Sequence, residues 1–147
     1  MRQPEDVKKM LGELIRDQRG ITVENLFLYI PAFPELYSIL ETEERIVGYL
    51  LGNLQGSHPD IRSAKWLVVI TDQRFLFLQK SMFSSLHHFE IRFAKIKKIS
   101  GKLGWFFGEM EIISDSGSVQ IFHIGKKDYQ FFTSCVGDLA SIQIGNS

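Results

Sequence analysis

The chain has 147 residues, 44% of them apolar and 23% charged. That composition fits one ordinary globular domain with a short appendage at most; it argues against disorder, and the length suffices for a real core without disulfide or metal staples. The formal net charge is +0, but residues 1–60 hold 6 Lys/Arg against 10 Asp/Glu and residues 61–147 hold 11 against 7. A front at −4 and a back at +4 fit internal docking, head-to-tail association, a basic face for an anionic partner, or two solvated surfaces of opposite bias. Cys135 is the only cysteine, so no internal disulfide forms and a reducing compartment fits. The N-terminus MRQPEDVKKM mixes acids with bases and does not read as a signal peptide. No apolar run approaches the ~20 residues of a transmembrane helix. A soluble, cytoplasmic protein is expected.

Residues 5–18 place Val7, Met10, Leu11, Leu14 and Ile15 on one helical face, and Gly20 serves as a C-cap. Thr22 caps a second short helix with Leu26, Phe27 and Ile30, which Pro31 stops. Pro34 opens a third helical turn, with Leu36, Tyr37 and Leu40 inward. The opening segment is therefore helical, acidic and too small to fold alone. From residue 44 the period changes to two. Gly48 and Gly52 inside the strand 44–54 predict a bend or bulge. A loop, 55–64, leads to the strongest signal in the chain, AKWLVVITDQRFLFLQK, which predicts a hairpin of strands 65–71 and 74–79 buried on both faces. Asp72 is expected to make an Asx turn with the following backbone, assisted by Thr71. After a loop at 81–85, further strands are predicted at 86–92, after a turn through Phe93, Ile96 and Ile99, at 109–114 beyond a hairpin near Gly104 and Gly108, and at 119–124. Tyr129, Phe132, Val136 and Leu139 mark a closing amphipathic helix over 126–142.

Three local words carry a family resemblance. An apolar strand, then Thr71-Asp72-Gln73-Arg74, then Phe75-Leu76-Phe77-Leu78 resembles the signature hairpin of bacterial pleckstrin-homology domains of the YokE-like type. Phe89-Glu90-Ile91 with Ile96 and Ile99 resembles their next strand, and Gly104 to Ile112 with Val119-Gln120-Ile121 their last two. The resemblance spans about 43–140, and GRAM-like domains share its barrel. It implies an α+β, mainly β fold: a seven-stranded bent antiparallel barrel capped by a C-terminal helix. Residues 1–42 then form a helical N-terminal extension and 43–147 the PH-like domain. It also implies a binding or scaffolding module with no reaction and no cofactor.

The residues themselves point away from catalysis. His87 and His88 are strand neighbours and face opposite ways, and His58 and His123 have no metal-ligand spacing around them. Cys135 sits among helical aromatics, as an inert buried thiol does. Glu109 and Glu111 share a strand face and read as exposed, as do Glu43 and Glu44. Gly101-Lys102-Leu103-Gly104 has the spacing of a nucleic-acid-clamping loop but lies between strands rather than helices, so no nucleic acid is expected.

The richest constellation is RFAKIKKISGKLGWFFG, residues 92–108. Arg92, Lys95, Lys97, Lys98 and Lys102 precede Trp105 and Phe106 at a hairpin tip, and Met82-Phe83 offer a second apolar tip. Lysines beside tip aromatics suit a shallow contact with anionic membrane, at roughly 1 kcal/mol per charge near the surface. The competing readings fold Trp105 and Phe107 into the barrel mouth, or pack the tip against another subunit or the acidic helices. The leading expectation is a module acting through protein contacts and self-association. Peripheral binding to anionic phospholipid at the inner face of the membrane is the alternative.

Overall fold

In a computed structural model, residues 4–15, 30–61, 64–80, 85–139 and 144–146 are described. Helix α1 (Pro4–Ile15) is followed by a helical turn at Phe33–Glu35 and by α2 (Leu36–Ile39). Strands β1 (Ile46–Gln55), β2 (Lys65–Thr71), β3 (Arg74–Gln79), β4 (His87–Arg92), β5 (Ile96–Leu103), β6 (Phe107–Ser114) and β7 (Gly117–Gly125) come next. Helix α3 (Lys126–Leu139) and a short β8 (Ile144–Asn146) complete the order. The predicted Gly20 cap, the Thr22 helix and Met82-Phe83 lie outside the described residues.

The strands form one sheet in the order β4-β3-β2-β1-β7-β6-β5-β8. The seven predicted strands are all present and antiparallel. The eighth, which the sequence reading did not anticipate, pairs parallel to β5. The sheet bends at β1, which pairs with β2 along most of its length and with β7 through Asn53–Gln55. Gly52 lies at that crossing. A Cβ there would stand 2.6 Å from the Ile121 Cγ2 and 2.9 Å from the Phe122 carbonyl oxygen, so only glycine lets the two strands approach. The predicted bulge is also present, between Ile46 and Gly48. It shifts the facing of β1 by one residue, so Ile46 packs on the outside of the bend and Leu50 and Leu54 inside it.

The β2–β3 hairpin is buried on both faces because its alternation feeds two cores. Trp66, Val68, Ile70, Phe75 and Phe77 enter the inner core with Phe89, Ile112, Ile121 and the α3 residues Phe132 and Val136. Leu67, Val69, Leu76 and Leu78 enter an outer core with Val7 and Leu11 of α1, Phe33, Leu36 and Leu40. The helical opening segment therefore covers the apolar back of the hairpin rather than a basic face. The i, i+4 row Val7, Leu11 and Ile15 is buried, whereas Met10 and Leu14 on its flank are only half-buried. Helix α3 buries Phe132 and Val136 as expected, but Phe131 stays partly exposed.

A buried ion pair joins the opening segment to the hairpin. The Arg74 guanidinium donates two hydrogen bonds of 2.8 Å to Glu44, one to the Ile39 carbonyl at 2.9 Å, and one to Glu90. The Thr71 hydroxyl donates to Glu44 at 2.6 Å and accepts the N–H groups of Gln73 and Arg74. Glu44, predicted exposed, is thus wholly buried, while Glu43 is exposed as expected. Burial opposes ionisation of Glu44, but the hydrogen bonds from Arg74 and Thr71 outweigh it and hold the carboxyl below its ordinary value. Asp72 also departs from expectation. Its carboxylate accepts the Arg45 N–H at 3.1 Å, and Thr71 alone supplies the turn chemistry.

Candidate functional site

The tip of the β5–β6 hairpin is built by a simple rule. Leu103 pairs with Gly108, and the Gly104 N–H donates to the Phe107 carbonyl at 2.9 Å, which leaves Trp105 and Phe106 as the two turn residues. No element among the described residues covers them. Trp105 is 92% exposed, Phe106 78% and Phe107 53%. The reading in which Trp105 and Phe107 fill the barrel mouth is overturned, and the described helix α1 and 33–40 segment lie on the back of the β2–β3 hairpin instead of over the tip. Below the tip the hairpin is firmly seated. The Tyr129 ring of α3 lies so close to Gly108 that an added Cβ would meet it at 2.4 Å. Phe107 makes an edge contact with His123, ring centroids 5.7 Å apart, and His123 holds a left-handed φ of 59°. Two aromatic rings are therefore held out in water on a braced stalk.

The lysines do not gather around those rings as the sequence order implied. Lys98, Ser100 and Lys102 do share the outer face of β5, opposite Ile113, Glu111 and Glu109. Of the five cations only Lys102 lies near the tip, and Glu109 is its register partner. Lys98 sits five residues before Leu103, ~17 Å back along an extended strand, and Lys95 and Lys97 are farther still. Lys97 faces Asp115 at 3.7 Å, and Arg92 pairs with Glu41 at 2.6 Å and Glu90 at 3.2 Å. Met82 and Phe83 lie outside the described residues. Two cations near the tip were missed by sequence reasoning, Lys126 and Lys127. Phe107 pairs with Gly125, so the exposed start of α3 stands beside the tip. Only the β6–β7 register reveals this, because some twenty residues separate these lysines from Trp105. Asp128 follows them, so the surroundings hold three cations against Glu109 and Asp128.

The β1–β2 loop lies at the other end of β7. The Ser57 and Ser118 side chains approach to 3.2 Å, Ser118 N–H donates to the Ser57 hydroxyl at 2.9 Å, and His58 N–H donates to the Ser118 carbonyl. From Ser118 to Gly125 is ~23 Å of strand. His58 is buried, stacked on Phe89 at 4.4 Å, and its Nδ1 accepts the Asp60 N–H at 3.2 Å. Burial lowers its pKa, with Asp60 opposing. His88 and Glu90 on β4 and Arg74 on β3 line the adjoining cavity. Glu109 is exposed and His123 faces the aromatic tip, an arrangement without a shared pocket. Among the described residues no three His, Cys, Asp or Glu side chains are placed to hold a metal ion. The Cys135 thiol is half-buried and donates to the Val47 carbonyl at 3.5 Å. Among the described residues no helix is long and apolar enough to cross a membrane.

A bent antiparallel sheet of seven strands closed by a C-terminal helix places the chain among pleckstrin-homology-like proteins. The family model for the bacterial PH domain matches residues 40–138, and the chain belongs to that family. Solved structures agree on the fold. A protein with a pleckstrin-homology domain from Shewanella loihica aligns at 13% identity and TM-score 0.50, over 82% of this chain and 98% of its own. The C-terminal domain of an unknown protein from Leishmania infantum aligns at 16% identity and TM-score 0.50, over 80% and 98%. No curated protein matches the chain. The PH-like fold supports a binding or scaffold module in general, in a family that is generally non-catalytic.

Proposed function

We propose that the chain is a non-catalytic module that works through protein contacts, self-association foremost, with Trp105 and Phe106 as its anchor. One observation carries this reading: two large aromatic side chains, 92% and 78% exposed, stand together on a turn braced from behind. A Trp or Phe side chain has only two torsions to order when a partner buries it, and Trp dominates interface energetics out of proportion to its frequency. The tip's surroundings are close to neutral, and the Arg92–Lys98 cations stand back from it, paired in part with acids. That balance favours an apolar socket on a protein over an anionic membrane, which draws its strength from unpaired lysines. Sedimentation velocity tests the reading. The wild type is expected to associate with rising concentration and Trp105→Ala to remain a monomer. A monomeric wild type that instead co-sediments with anionic vesicles in a salt-sensitive way would replace it with the membrane reading.

A further inference from the structure

Among the described residues the outer core leaves one apolar flank uncovered, and that flank has the size and the acidic margin to receive the tip. Met10 and Leu14 of α1 and Ile46 and Val47 of β1 line a cavity of about 410 Å³, with Glu13, Arg45 and Asp72 at its margin. Pockets of ~300–1,000 Å³ hold guests the size of small molecules, so an indole ring fits. An adjoining cavity adds Asp6, Lys9 and Glu43. The apolar floor is thus ringed by four carboxylates, Asp6, Glu13, Glu43 and Asp72, against two cations, Lys9 and Arg45. The tip's surroundings, Lys102, Lys126 and Lys127 against Glu109 and Asp128, are close to neutral with a slight excess of cations. The cavity exists because α1 has a wider apolar stripe than the sheet covers. Val7 and Leu11 lie within the outer core, whereas Met10 and Leu14 pack only against its edge, half-buried, beside the β1 bulge.

We infer that the socket for Trp105 and Phe106 is this α1–β1 cavity on a second copy of the chain. The inference rests on the self-association reading above and adds the receiving surface. Each copy carries both a tip and a socket, so the contact is head to tail. Two such contacts exchanged about a twofold axis close a dimer, whereas contacts made in series extend a chain of copies. The acidic margin of the socket then meets the lysines beside the tip.

Complementation of full-length variants by sedimentation velocity tests this. Trp105→Ala removes the tip and Met10→Lys blocks the socket, with Leu14→Ser as a milder second socket variant. Circular dichroism and melting confirm that each is folded. Each variant alone is expected to associate at least about 30-fold more weakly than wild type, the loss typical of a hot-spot residue. An equimolar mixture of Trp105→Ala and Met10→Lys regains a 1:1 heterodimer, because the intact tip of one meets the intact socket of the other. Association abolished by Trp105→Ala but untouched by both socket variants overturns the socket and leaves the tip reading standing. Wild type that stays monomeric overturns both.

Discussion

The β2–β3 and β5–β6 hairpins are made of the same materials and end in opposite states. Both carry bulky aromatics, both close on an antiparallel ladder, and both pair with a further antiparallel neighbour, β4 in the first and β7 in the second. In the first, both faces are sealed, one by the bent sheet and α3, the other by α1 and the 33–40 segment. In the second, the strands are half-sealed and the turn reaches past every covering element among the described residues. Burial of an aromatic is therefore decided by whether another part of the chain lies over it. In the first hairpin the rings stabilise the fold, and in the second they are held for something outside it.

The widest gap between the two is expected in stability. Phe77 is fully buried and stacked on Phe89 at 4.5 Å, so Phe77→Ala should destabilise by ~3–5 kcal/mol in urea unfolding. Arg74→Leu should cost a similar ~3–5 kcal/mol, because Glu44 is then left charged and buried without its partner. A loss below ~1 kcal/mol in either would mean that the hairpin is not the sealed centre described above.

Gly108→Ala sharpens the comparison at the base of the exposed hairpin. The new methyl would meet Tyr129 near its backbone, where the ring cannot swing away, so ~1–3 kcal/mol of overpacking is expected. Tyr129→Ala in the same chain should recover part of the Gly108→Ala penalty relative to Tyr129→Ala alone. Independent losses from the two changes would show that α3 does not brace the tip.

Acid separates two further regions. Glu44 has a folded pKa below its ordinary 4.5, so its contribution is complete above that value and fades as pH falls through the folded pKa. His58 is also lowered, but as a base it resists protonation in the fold. Its cost enters as pH drops below 6.5 and levels off below the folded pKa. Melting followed from pH 7 downward should therefore show a first loss removed by His58→Phe. A second loss, below about pH 4.5, should be removed by Glu44→Gln. A first step that persists in His58→Phe would assign it elsewhere.

How far this was legible depended on the distance over which each residue finds its partners. The sealed hairpin could be read because alternation over 65–79 and the Thr71–Arg74 turn are local. The glycine-marked bend of β1 could be read for the same reason. Glu44 could not, because it is buried by an arginine thirty residues away, and nothing in Glu43-Glu44 tells one from the other. The Lys126 and Lys127 neighbourhood of the tip depends on strand register. The five cations before the tip misled because closeness in sequence along a strand is separation in space, ~3.3 Å for each residue. The direction of Trp105 was undecidable at that level, since a two-residue turn has no periodicity to follow.

Trp105→Ala should show the smallest effect on stability, and that is what makes it informative. A side chain 92% exposed contributes little to the folded core, so unfolding should shift by no more than ~0.5 kcal/mol. Phe77→Ala and Trp105→Ala delete aromatic rings of comparable size from two hairpins of one sheet, and the expected difference is several kcal/mol. The reverse ordering is expected in sedimentation at high concentration, where Trp105→Ala loses association and a folded outer-surface control such as Lys98→Ala does not. A large loss of stability in Trp105→Ala would mean that the ring is buried by its own chain in solution. The distinction between a hairpin that holds the fold and one that reaches beyond it would then disappear.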